Sequence, residues 1–400
     1  MLQQIEEPHP EAPPGWPLLR IGLRPFYLRA ALAASITVPV WLAVLLGGIA
    51  WPAALQMPPL GWHAHEMVYG FASATVIGFL LSASRAWTGL GTTRAQALGL
   101  LATLWLAGRL ALFVLPYPVY ALIDLALLPL VAWVLIRLLL HTGLYRNLPL
   151  AIILLLLTLA NLSFHLSVLQ WLPIPMLAPL HAALALLVLM QCIMAGRVIP
   201  GFTISATRGL RIVPRPWLER ICLGSTALGL VMWIAASASW SRATTSVLML
   251  AAVSHAVRQW RWRSPVVWRR PVLWILHAAY LWITLGLALL AMAHAGWVAE
   301  SAAVHAFGVG STGGLIIGMM TRTARGHTGR SLQTARLELA AYLLVMLAAV
   351  LRVLQPLLMR AELSAPLWVA AAGAWSAAFG IYLWIYTPWL VGTRLDGRDG

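Results

Sequence analysis

Lysine is absent from this 400-residue chain, and acid is scarce: 27 basic residues, all arginine, stand against 11 Asp and Glu. Charged side chains make up 10% of the chain, against about 25% in an ordinary soluble domain. That excludes a large soluble domain. The two cysteines, Cys192 and Cys222, both fall inside apolar runs, so no disulfide framework is implied. Residues 1–19 are rich in proline and acid, with no basic start and no cleavage site. They read as a short cytoplasmic arm, not a signal peptide.

What is present is apolar length. The chain is 61% hydrophobic, with mean hydropathy +0.83. A membrane-spanning helix needs roughly 20 mostly apolar residues. Twelve such runs lie at about 28–50, 62–84, 94–114, 118–139, 148–170, 176–199, 216–237, 241–259, 271–293, 298–320, 335–357 and 365–388. The net charge of +16 is sorted along the chain. Arg20, Arg24 and Arg29 precede the first run, Arg197 to Arg220 follow the sixth, and Arg322 to Arg336 follow the tenth, while alternate loops carry almost none. This is a topology signal rather than a nucleic-acid surface. By the positive-inside rule both termini are cytoplasmic. The expected fold is an all-α integral membrane protein with twelve transmembrane helices and lipid as its surroundings. It has a cytoplasmic arm (1–23), one membrane domain (24–392) and a cytoplasmic tail (393–400).

An internal repeat is visible. His65, His181 and His305 each open an apolar helix that ends in arginine. From His65 and His305, Gly70 matches Gly310, Gly78 matches Gly318, Arg85 matches Arg325, and Thr88-Gly89 matches Thr328-Gly329, with no gap. His181 to Arg197 is a looser third copy. The units are then 24–140, 146–262 and 270–392, three parallel four-helix repeats in a threefold-like ring. Spans two, six and ten would face its centre or its pores. Pro200 and Gly201 read as the end of span six.

Counting about 1.5 Å per residue puts His63, His65, His165, His181 and His305 near the outer boundary. Glu66, Arg109, Asp124 and Arg352 share that depth, and His255 and His277 lie deeper inward. Ionisable groups in a membrane are costly and mark cavities, partners or function. Arg109 and Asp124 also read as a plain ion pair, and the histidines as an interfacial cluster. On a helix, residues two apart point about 200° from one another. The His63-Ala64-His65 pair therefore does not easily chelate one ion; it can bridge two adjacent sites. Imidazole suits haem iron, copper and zinc. His65 and His305, opposed, would clamp a haem iron, with Arg109 or Arg352 on its propionates. His63 and His181 would serve copper, with Met67 as a soft extra ligand. Gly326 to Arg330 reads as an anion or headgroup contact, or as a tight cytoplasmic turn.

The segments Trp62–Met67, Gly78–Leu81, Gly108-Arg109, Leu159–Asn161 with His165, Gly196–Pro200, Leu273–Tyr280 and His305–Arg330 resemble the NnrS family. Leu23, where phenylalanine is more usual, is a departure. The resemblance implies a haem- and copper-containing bacterial inner-membrane protein, with haem b and copper as cofactors, linked to nitric oxide and nitrosative stress. The arrangement is also similar to the haem–copper oxidases, although no His-Pro-x-x-x-Tyr pattern follows His181. The expected function is to bind or reduce nitric oxide near the periplasmic face, with Glu66 as the nearest proton donor and an unnamed electron donor. A transporter of a metal or nitrosyl species, or a metal-free membrane scaffold, are the other readings.

Overall fold

The computed structural model describes residues 15–235, 241–358 and 360–398. Residues 1–14 of the expected arm, His9 among them, and the last two of the expected tail lie outside these. The fold is all-helical, with no strand among the described residues. Its long helices are α1 (Leu23–Leu45), α2 (Pro59–Thr88), α3 (Ala95–Val114), α4 (Tyr117–His141), α5 (Leu148–Val168), α6 (Leu177–Ala206), α7 (Pro216–Ala235), α8 (Ser241–Arg261), α9 (Pro271–His294), α10 (Glu300–His327), α11 (Arg336–Leu358) and α12 (Ser364–Val391).

Eleven of these are long and apolar enough to cross a membrane; α8 is long enough but too polar. It carries Arg242, Thr244, Thr245, Ser246, His255 and Arg258. The exterior is greasy, with Leu100, Val114 and Leu122 each at least 70% exposed, as lipid-facing side chains are.

Helices adjacent in sequence pack together, except that α2 lies closer to α4 than to α3, and α12 closes back on α1. The closure is specific. Buried Arg24 donates to the carbonyls of Leu390 (2.9 Å) and Gly392 (2.6 Å), and Trp375 Nε1 donates to Ala34 O (3.0 Å). The helices α2, α6 and α10 touch one another in the interior. Of these, α2 and α10 are the most enclosed, with 78% and 72% of their most apolar stretch buried.

The likeness of α2 and α10 extends to backbone. Both turn π-helical directly after their histidine, over Glu66–Ala72 and Ala306–Gly313. Gly78 lets α2 approach α1 at Gly22, Leu23 and Phe26, and Gly318 lets α10 approach α9 at Ile275 and Leu276. Helix α6 has no π segment. It also runs on through Pro200 and Gly201 to Ala206, against the sequence expectation that it stops there. Proline is tolerated inside a membrane bundle when neighbouring packing fixes the helix. Here Arg258 lies so close to Gly196 that no Cβ would fit, and Thr203 bonds back to Ile199 O at 2.8 Å.

Candidate metal centre

The π-helical turn of α2 begins where its polar residues are concentrated. A π turn widens the helix by one residue and is frequent at functional sites. His65 is fully buried and points at α4 and α5. Its Nε2 lies 3.2 Å from Asp124 Oδ2 and 3.0 Å from Asn161 Oδ1. His165, on α5, brings its own Nε2 to 3.3 Å from the same Asp124 oxygen. One ligand atom from each of His65, Asp124 and His165 lies within 4.8 Å of the others, the only such grouping among the described residues. All three side chains are at most 3% exposed.

The surroundings fix how these groups present themselves. Asn161 Nδ2 donates to Asp124 Oδ2 at 2.7 Å. Arg109 pairs with the other oxygen, Oδ1, and its Nε lies 3.5 Å from Glu66 Oε1. Phe164 stacks on the His65 ring at 5.0 Å, and Tyr69 and Tyr120 close the walls. Trp105 ties α3 to the π turn by donating to Gly70 O at 3.1 Å.

Both imidazoles have an outer partner on Nδ1. For His65 it is Glu66 Oε1 at 3.4 Å, and for His165 it is the Tyr117 hydroxyl at 3.0 Å. Carboxylate and amide oxygens only accept, yet Glu66 Oε1 faces His65 Nδ1 while Asp124 Oδ2 and Asn161 Oδ1 face Nε2, so a neutral ring turns one lone pair on an acceptor oxygen. A lone pair facing a carboxylate oxygen is repulsive unless a cation lies between them or the ring takes a second proton. An outer carboxylate on the far nitrogen is how proteins orient metal-binding histidines. The donor set fits a metal on these grounds. Two imidazoles and one carboxylate suit zinc, iron(II) or copper(II) better than a soft copper(I) ion.

His63 turns the other way. Its ring stacks on Trp41 of α1 at 5.0 Å, and its buried Nδ1 has no hydrogen-bond partner. It lies within electrostatic reach of His305 on α10 and of Arg352 on α11. His305 donates from Nδ1 to Ser301 O at 2.7 Å, which leaves Nε2 with a free lone pair. Two imidazoles on different helices, one with an orphaned nitrogen and the other with its tautomer set, would have the chemistry to hold a haem iron.

The remaining sequence candidates fall elsewhere. His65 and His305, opposed across one iron in the sequence reading, have separate neighbours. His181 stacks on Trp233 at 5.0 Å, and its Nδ1 lies 3.6 Å from Glu300 Oε1. Met67 is a half-buried side chain packed on the core. Arg109 is engaged by two carboxylates, and Arg352 donates to Gln355 at 3.1 Å. Deeper in, His255 bonds Thr226 (2.8 Å) and Tyr280, and His277 bonds Thr203 (3.0 Å) and Ser264 (2.8 Å).

Sequence reasoning placed Asp124 and His165 in one layer with His65 but gave neither a ligand role, and it passed over Tyr117 as well as a role for Asn161. A signal existed. Asn161 and His165 are four apart, and Tyr117, Tyr120 and Asp124 recur at three and four, so each set lines one helix face.

A family model described as "NnrS protein" matches residues 17–394. No curated protein matches the chain.

Proposed function

This chain belongs to the NnrS family, and from that premise we propose that it is a haem- and copper-binding protein of the bacterial inner membrane that binds nitric oxide. The observation that carries the reading is the split of the two α2 histidines. His65 serves the group of Asp124 and His165, while His63 serves the group of His305 and Arg352. One helix turn thus supplies an imidazole to each of two adjacent centres.

In this reading His63 and His305 hold the haem iron, and Arg352 supplies positive charge for the propionates. His65, His165 and Asp124 hold the second metal, which the family resemblance makes copper. Haem and copper, once bound, supply a gas-binding iron and a neighbouring redox centre. The chain's own groups then have definite tasks. Arg109 balances the charge of Asp124 and Glu66. Glu66 and Tyr117 keep both rings in the tautomer that exposes Nε2. Phe164, Tyr69 and Tyr120 keep water away. Glu66 is also the acid nearest the centre, and electrons come from a separate donor.

The topology belongs to the same proposal. Helix α8 crosses the membrane with the other eleven, in three four-helix units around α2, α6 and α10. Alternating arginine-rich loops then put both termini in the cytoplasm and the histidines on the periplasmic side. The test is metal analysis and an optical spectrum of the purified protein, followed by nitric oxide titration. The expected result is stoichiometric haem with a Soret shift on nitric oxide, plus a second metal. Protein purified from haem- and copper-replete cells that holds neither, and whose spectrum ignores nitric oxide, overturns the reading.

A further inference from the structure

A second feature lies inward of the metal centre, where α2, α6 and α10 meet. With Tyr27 of α1 and Leu276 of α9 they line a pocket of about 110 Å³ that is partly open to its surroundings. Ala72 and Phe79 of α2, Met194 and Ala195 of α6, and Thr312 and Met319 of α10 are among its walls. A cavity needs only about 10–15 Å³ of this kind of space to hold one water-sized guest, so several would fit.

The chemistry of the walls decides what kind. Nearly every wall atom is carbon or sulfur. The few polar groups already satisfy one another or the backbone. Gln191 Nε2 donates to Thr312 Oγ1 at 2.7 Å, and Ser311 Oγ donates to Gln191 Oε1 at 3.1 Å. Thr75 Oγ1 bonds Phe71 O at 3.3 Å, and the Tyr27 hydroxyl pairs with Thr323 at 3.1 Å. A buried water needs two to four polar partners, and these walls offer few. Charged or hydrogen-bonding solutes are disfavoured for the same reason. Apolar cavities of this size stay dry and take up small apolar guests such as xenon. Methionine walls are polarizable and adjust to such guests.

We infer that this cavity is a binding site for small, uncharged, apolar gas molecules, held in the bundle interior next to the metal centres. It rests on the proposed function in one respect: that reading makes nitric oxide the gas. Ala72 is seven residues beyond His65, roughly 10 Å along α2 at a rise of about 1.5 Å per residue. Gas dissolved in the membrane interior would be collected here, one step from the metal ligands.

Xenon is the probe, because it binds by size and polarizability and needs no metal. The full-length protein in lipid nanodiscs is examined by xenon NMR, beside Ala72→Phe and Ala195→Phe, each of which fills the space. The expected result is a saturable xenon site in the wild type, lost in both variants while iron and copper content stay unchanged. A wild type without a saturable site, or a site that persists in both filled variants, overturns the inference. Should a variant fail to fold, a xenon-pressurised crystal decides: xenon between α2, α6 and α10 supports it, and an acyl chain or xenon only elsewhere overturns it. Metal content is read separately, so a metal-free protein that binds xenon would defeat the proposed function and leave this site standing.

Discussion

The rings of His65 and His165 lie 5.5 Å apart and direct their Nε2 atoms at one oxygen of Asp124. They stand 100 positions apart in the sequence, on α2 and α5. Asp124 is therefore the hinge of the centre, and it carries three jobs: it faces two imidazoles, accepts from Asn161 and pairs with Arg109. Removing a ligand should empty the site without harming the distant one. His165→Ala and Asp124→Asn are expected to lower the affinity for the second metal by well over tenfold while the Soret band persists. Elemental analysis beside the optical spectrum checks this; full metal occupancy in both variants would reduce the cluster to a hydrogen-bond network.

The haem assignment predicts a different pattern. His63→Ala and His305→Ala are expected to abolish or shift the Soret band and to leave the second metal bound. His65→Ala does the reverse. The sequence alone paired His65 with His305, and the same spectra decide between the two pairings. If His65→Ala removes the haem and His63→Ala does not, the assignment argued from the structure is wrong.

How far the sequence carried these conclusions differs with the physics involved. Helix positions were legible because apolar length is a local property: all twelve runs correspond to helices, though the first helix begins at Leu23 rather than 28 and ends before the Gly47-Gly48 turn. The opposed directions of His63 and His65 were legible too, since rotation per residue is fixed. What each ring meets was not. That depends on which helices lie beside α2, and contacts between His65, Asp124 and His165 join α2, α4 and α5 across the bundle. The π turns after His65 and His305 had no recognised sequence mark. Pro200-Gly201 misled because a local helix-breaking tendency lost to tertiary packing around Gly196 and Arg258.

Glu66 touches both His65 and Arg109, and two roles make opposite forecasts for one substitution. An orienting acceptor survives as an amide, because a Gln oxygen still accepts from His65 Nδ1–H. Glu66→Gln should therefore keep the second metal within a few-fold, while Glu66→Ala and Tyr117→Phe weaken it by about 10–100-fold, as loss of outer partners does elsewhere. Competition with a chelator measures this. Equal loss in Glu66→Gln and Glu66→Ala would mean that charge, not orientation, is what the metal needs.

Arg109 is 12% exposed and faces two buried carboxylates. Deleting one member of a buried pair leaves an uncompensated charge, at a cost of about 3–5 kcal/mol. Arg109→Met is thus expected to lower the thermal midpoint in detergent by several degrees, and adding Asp124→Asn should restore part of it. A midpoint unchanged by Arg109→Met would mean that the carboxylates are balanced by something else.

Glycines on the two π-bearing helices give a graded test of how closely they pack. At Gly78 an added Cβ would lie 2.8 Å from Phe26 Cβ and 3.3 Å from the backbone of Gly22 and Leu23. Backbone cannot step aside, so α1 and α2 must separate. At Gly318 the same atom meets only side-chain tips, Leu276 Cδ2 at 2.8 Å and Ile275 Cγ2 at 2.9 Å, which can rotate. At Gly326 it meets nothing within 4 Å. Overpacking typically costs about 1–3 kcal/mol, whereas alanine in an open helical position gains up to about 1 kcal/mol over glycine. The order of thermal midpoints should then be Gly326→Ala at or above wild type, Gly318→Ala below it and Gly78→Ala lowest. Because α2 carries His63 and His65, Gly78→Ala should also loosen both centres, seen as lower haem and metal retention during purification. Equal midpoints for all three variants would show that the helices are not seated as closely as these distances require.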